Sequence, residues 1–203
     1  MVDVASTDPT GRYETVHGSR TYAEVNDLLA QPLSELVDGI QAGLFDGREL
    51  SVDLLREFHH SFVSPVLPDM AGVWRRGPVT VGNHEPPDWR LVDRLMREMM
   101  DTLVVRIDYA DTPDLQVEAL AFAEASMLNI HPFMDFNGRA IRVFALEIVR
   151  RFDLPLARTW VEDGTPESKD YAVALAVYDN SVAAGGMALK PMCDFWLRYR
   201  LAV

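Results

Sequence analysis

The stretch HPFMDFNGRAIR, residues 131–142, gathers a histidine, a carboxylate, an amide, a glycine and two arginines within twelve positions. The chain around it is mostly apolar or acidic. Asn137-Gly138 reads as the entry to a helix through GRAIRVFALEIVRRF, which buries Ile141, Phe144, Ile148 and Phe152 and stops before Pro155. A helix start leaves its first N–H groups without intrahelical partners, and its dipole favours anions. Gly138 lets a phosphate approach the backbone closely. Arg139 and Arg142 project from a similar face, and a guanidinium offers a planar fork of donors to phosphate oxygens. Asn137 can add an amide donor or hold the loop. Together these residues read as a phosphate seat.

Asp135 lies just before that seat. A carboxylate beside phosphates calls for a cation between them, and Mg²⁺, a hard ion that prefers oxygen, is the natural choice. His131 can take a proton from an attacking hydroxyl near neutral pH. Phe133, apolar in a polar stretch, is expected to turn inward as an anchor. Each residue also has a plainer reading. A histidine after a helix can cap it. Asp135 and Asn137 can cap the next helix. Arg139 and Arg142 can be solvated or pair with Glu147 or Asp153. The residues taken singly leave both readings open.

Outward from this stretch the chain reads as mainly α. TYAEVNDLLAQPLSELVDGIQAGLFDG has helical spacing, with Pro32 as a break and Gly47 as a stop. SVDLLREFHHSFV follows, capped by Ser51, with Leu54, Leu55, Phe58 and Phe62 on one face. The glycines and prolines around Pro78-Val-Thr-Val81 predict a β-hairpin or extended flap at about 74–84. Asp88 can cap a helix burying Leu91, Leu95, Met96 and Met99. Another helix runs from about Asp114 to Asn129, and Thr165-Pro166 opens a further long one. Residues 1–20 are polar and turn-rich, and are expected to form a flexible arm ahead of one domain spanning 21–203.

Composition narrows the function. The chain has 203 residues and a formal net charge of -12, which argues against non-specific nucleic-acid binding and against anionic membranes. No run is long and apolar enough for a membrane helix. The single cysteine, Cys193, has no intrachain partner, so a reducing, cytoplasmic setting is expected.

HPFMDFNGRAIR closely resembles the Fic family signature, His-Pro-Phe-x-(Asp/Glu)-Gly-Asn-Gly-Arg-x-x-Arg. FHHSFVSPVLPDMAGVWRRGPVTVG is similar to the segment that leads into the family's flap, and SKDYAVALAVYDN resembles the helix after the motif. The likeness covers roughly residues 50–198. It implies a single-domain Fic fold, a helical core with a short β-hairpin flap, whose active-site loop and helix span 131–152. It implies that His131 deprotonates a Ser, Thr or Tyr hydroxyl of a target protein, or of the enzyme itself. It implies that Asp135 holds Mg²⁺, and that Asn137, Gly138, Arg139 and Arg142 contact the phosphates of ATP. The flap would align the target by strand pairing. The implied activity is Mg²⁺-dependent protein adenylyltransfer, since the phosphorylating Doc branch typically has lysine where this chain has Gly138.

One position departs from the pattern. Phe136 stands where the family mostly has glycine or alanine, and a bulky residue costs more at unusual dihedrals. This leaves a second expectation, a catalytically silent or altered-donor Fic fold that binds nucleotide or a partner. The family's inhibitory helix, (Ser/Thr)-x-x-x-Glu-(Gly/Asn), has no convincing match: TGRYET at Thr10 has Thr15 at the last position. Either a separate small antitoxin-like protein supplies that helix, or the chain is not regulated in this way.

Overall fold

The computed structural model describes residues 11–202. Its class is the expected one, a mainly helical core with one short β-hairpin. Strand β1 (Arg12–Thr15) pairs antiparallel with β2 (Gly18–Thr21), and Tyr13 lies opposite Arg20. The hairpin therefore falls in the stretch expected to be a loose arm, of which residues 1–10 lie outside the described residues. What fixes it is not local: Tyr13 is buried against the core, and Val16 donates its N–H to Val66 O at 3.1 Å. The expected flap at 74–84 forms no strand pair of its own. It closes on the single bridge Val81–His84.

Thr21 caps α1 (Tyr22–Gln41) with a full capping box: its side chain accepts from Glu24 N–H, and the Glu24 carboxylate accepts from Thr21 N–H at 2.7 Å. The helix passes through Pro32 rather than breaking there. An interior proline costs about 3 kcal/mol. Burial of Val25 and Leu29 before it, and of Leu36 and Ile40 after it, offsets that cost. Ser51 caps α2 (Val52–Val63) as expected, accepting from Leu54 N–H. Asp88 caps a short 3₁₀ turn, Trp89–Leu91, which leads into α3 (Val92–Asp108). Met96 and Met99 are buried as expected and Leu95 is partly so, but Leu91, in the 3₁₀ turn, is exposed.

Helix α4 (Pro113–Ile130) is the centre of the molecule. It is apolar nearly all round because α3, α5, α6 and α7 cover it. Its alanines at 119, 121, 123 and 125 are all buried and let those neighbours come close. The chain leaves α4 through the motif loop and enters α5 (Asn137–Arg151). Thr165 and Pro166 open α6 (Pro166–Ala183), and α7 (Lys190–Phe195) runs on into a π-helical turn, Trp196–Arg200. The motif loop thus sits between the two most buried helices.

The return from α2 to the loop depends on Gly72, whose φ of 68° is left-handed. A Cβ there would lie 2.8 Å from Arg56 O and 3.0 Å from His60 Cβ. Gly72→Ala is expected to cost about 2 kcal/mol, from the left-handed conformation and the contact with backbone together. Urea unfolding with an unchanged slope and a lowered midpoint would register it.

Candidate active site

The motif loop is built on two left-handed residues. His131 ends α4 with φ 52°, its N–H bonded to Met127 O at 2.9 Å. It is the helix cap that its position suggested, and its ring is buried. Phe136, the residue before α5, has φ 59°. For a bulky side chain that conformation is held only where the surroundings over-determine it. Here they do. Asp135 Oδ1 accepts Phe136 N–H at 2.7 Å. The Phe136 ring is 1% exposed, packed against Tyr13 and Tyr22 at centroid distances of 6.2 and 6.3 Å, with Arg139 over it at 5.5 Å.

Asn137 holds the loop with its side chain. Its Oδ1 accepts Phe133 N–H at 2.8 Å and its Nδ2 donates to Phe133 O at 2.9 Å. Phe133 turns inward as expected and is fully buried. Its ring stacks on His59 at 3.8 Å, nearly parallel, and its backbone bridges to Trp74. Asp135 is fully buried, and the Tyr13 hydroxyl donates to its Oδ2. Gly138 and Arg139 lie in the first turn of α5, and Arg142 one turn further. Glu147 is taken by Arg150 and Arg151, at 3.2 and 2.7 Å. Arg139 Nη2 donates to Asn26 Oδ1 at 2.7 Å, while its Nη1 is buried with no hydrogen-bond partner among the described residues.

Arg139 and Arg142 together line a cavity of about 330 Å³, with Tyr22, Asp163, Ser168 and Tyr171 among its other walls. Of the expected site residues only these two arginines line it; His131, Asp135, Asn137 and Gly138 do not, nor does Phe136, whose ring faces the hairpin and α1. A pair of guanidiniums facing a cavity suits an anionic ligand. Among the described residues, no group of three or more His, Cys, Asp or Glu is arranged to hold a metal. Asp135 would be the one motif carboxylate to hold an ion such as Mg²⁺, which takes most of its oxygens from phosphate and water; here its two oxygens accept Phe136 N–H and the Tyr13 hydroxyl.

Two supporting residues lie outside the motif. His59 holds the loop. Its Nδ1 accepts Gly72 N–H at 2.8 Å, so Nε2 carries the proton and donates to Asp135 O at 3.1 Å. Arg75 is 3% exposed and donates to His131 O at 2.8 Å, Ile130 O at 3.3 Å and Gly77 O at 3.1 Å, and also to Pro87 O. Its own N–H reaches Pro132 O at 2.9 Å. One guanidinium thus ties the end of α4 to both ends of the 77–87 loop. His84, in that loop, is held against α4 and α6, with Nε2 2.8 Å from Asn129 O and Nδ1 3.6 Å from Asp179.

Burial lowers the pKa of His59 to about 3, against a smaller upward pull from its bond to Asp135 O. In the unfolded chain the ring takes up its proton near pH 6.5. Between those values the unfolded state binds more protons, so stability falls as pH falls through the window, by up to about 1.4 kcal/mol per pH unit. His59→Gln should remove that slope. From pH 6.5 to 4.5, metal-free wild type is expected to lose about 2 kcal/mol more than the variant in urea unfolding.

Comparison with known proteins agrees with this geometry. Residues 49–149 match the Fic/DOC family. The chain is 30% identical over 132 residues to a protein adenylyltransferase Fic of Drosophila willistoni, a match covering 65% of this chain and 26% of that protein. The chain therefore spans about a quarter of the length of that relative. Among solved structures, the AMPPNP-bound BepC effector of Bartonella tribocorum superposes with a TM-score of 0.71 at 12% identity, covering 96% of this chain and 98% of that one. The Fic domain of Bep8 from Bartonella sp. 1-1C gives 0.76 at 12% identity, covering 97% and 94%. At such identities these two likenesses speak to the fold.

Proposed function

We propose that this chain, which belongs to the Fic/DOC family, is a Mg²⁺-dependent protein adenylyltransferase that moves AMP from ATP to a Ser, Thr or Tyr hydroxyl of a protein target. The observation that carries the reading is the cavity at the start of α5, where two arginines face one space and Arg139 keeps a buried N–H without a partner among the described residues. In this reading Gly138 and Arg139 bind the phosphates nearest the turn, and Arg142 binds those farther along. Asn137 fixes the loop from which the others act. Asp135 holds the ion, which when bound offsets phosphate charge. His131 removes the proton of the target hydroxyl as its oxygen bonds to the α-phosphorus. The bond from that phosphorus to the bridging oxygen breaks, and pyrophosphate leaves. The 77–87 loop, pinned by Arg75 and His84, presents backbone groups to an extended target segment.

A second reading has an observation of its own. The Tyr13 hydroxyl occupies one oxygen of Asp135, and Tyr22 walls the cavity. A site held in that state would bind nucleotide without transferring it, or take another donor. A separate small inhibitory protein belongs to the first reading as its regulator, and a single cysteine suits action in the cytoplasm. In the presence of Mg²⁺ and α-labelled ATP, the first reading expects AMP-sized mass added to a protein hydroxyl. Nucleotide bound with no adduct on any protein in a cell extract would leave the second.

A further inference from the structure

The two arginines of the cavity have separate mounts. Arg139 is fixed from the front of the molecule, by Asn26 of α1 and the Phe136 ring. Arg142 lies over the ring of Tyr171, 5.6 Å from its centroid. Tyr171, on α6, is 1% exposed and donates its hydroxyl to Glu124 Oε1 at 2.6 Å. Glu124, on α4, is itself fully buried. Burial and the Glu124 charge push the Tyr171 pKa well up, so the ring stays a neutral phenol with a proton to donate.

We propose that Tyr171, through its buried ring, is a positioning residue that presents Arg142 to the donor's distal phosphates and so makes the cavity prefer a nucleoside triphosphate over a monophosphate. This rests on the reading of the cavity as a nucleotide site. An aromatic face attracts one face of a guanidinium and leaves the N–H groups in its plane to reach oxygens. Packing of the buried ring keeps its face under the guanidinium, and the hydrogen bond to Glu124 holds only the hydroxyl end. Arg142 lies about 4.5 Å beyond Arg139 along the helix axis. It therefore meets the part of a polyphosphate that a monophosphate lacks. Loss of the Tyr171 face should disturb Arg142 and spare Arg139, whose contacts come from elsewhere.

The test is calorimetric titration of the full chain with ATP and with AMP, each with Mg²⁺. Wild type is expected to prefer ATP. Tyr171→Leu, which removes the π face, should lower that preference about tenfold while AMP affinity stays within about twofold. Tyr171→Phe keeps the face and should keep the preference within about threefold. Thermal melting without nucleotide checks that each variant is folded. A folded Leu variant that keeps the preference, or loses ATP and AMP affinity by the same factor, overturns the inference. So does a Phe variant that loses the preference, and Tyr171→Met, which also lacks the π face, takes the place of the Leu variant where that one does not fold. Wild type that binds neither nucleotide overturns the nucleotide reading of the cavity and this inference with it. Wild type that binds both while the Leu variant keeps the preference removes only the role of Tyr171.

Discussion

His131→Ala is expected to lower AMP transfer by about 10²- to 10⁴-fold, the range typical for losing a positioned general base. The change should be confined to the chemical step. The main chain at position 131 is held from both sides, by the bond of its N–H to Met127 O and by Arg75 on its carbonyl. Alanine in a left-handed conformation costs about 1–2 kcal/mol, too little to open the loop. ATP affinity should therefore stay within a few-fold of wild type, because no phosphate contact in the proposed mechanism uses the imidazole. His131→Asn sharpens the comparison. Asparagine tolerates the left-handed region better than alanine, yet cannot act as a base. It should be as inactive as the alanine variant and more stable. Equal labelling by wild type and both variants would remove His131 from the proton transfer.

What could be read in the sequence was what is local. Ser51 and Thr165-Pro166 announce helix starts because a cap acts on an N–H two or three residues away. The motif is legible for the same reason, since Asn137 closes on Phe133 within the same turn. Pro32 misled because its cost is local, while the packing that overrides it lies on other helices. Glycine, proline and the run Pro78-Val-Thr-Val81 suggest a hairpin at 74–84. That loop instead has Arg75 to bind the carbonyls of Gly77 and Pro87, and needs no second strand. Strand β1 was hidden because its one buried ring, Tyr13, finds Phe136 and Asp135 far along the chain. The same holds for His59 on Asp135, and for Glu124 on Tyr171. The residues expected to do the chemistry are contiguous, while those that hold them come from everywhere else.

Arg75→Ala should be the most destabilising single change around the loop, at about 3–4 kcal/mol. The guanidinium donates to four backbone carbonyls, two at the end of α4 and one at each end of the 77–87 loop. Alanine leaves those oxygens without their shared donor in a space that the side chain had filled. Hydrogen bonds from a charged donor count for more than neutral ones, and an unsatisfied buried acceptor carries its own penalty. The cost of burying the charge works the other way: desolvation lowers the Arg75 pKa, with Asp88 opposing it, so part of the gain is already spent. Four bonds against one partly desolvated charge leaves the balance on the side of the arginine. Arg75→Lys discriminates between charge and geometry. Lysine restores the cation, but its compact ammonium cannot span carbonyls that a planar fork reaches from two edges. It should recover less than half of the loss in urea unfolding. Full recovery would mean that charge at the end of α4 is what matters. A loss under about 1 kcal/mol for alanine would mean that water replaces the guanidinium, and that His131 is held by α4 without it.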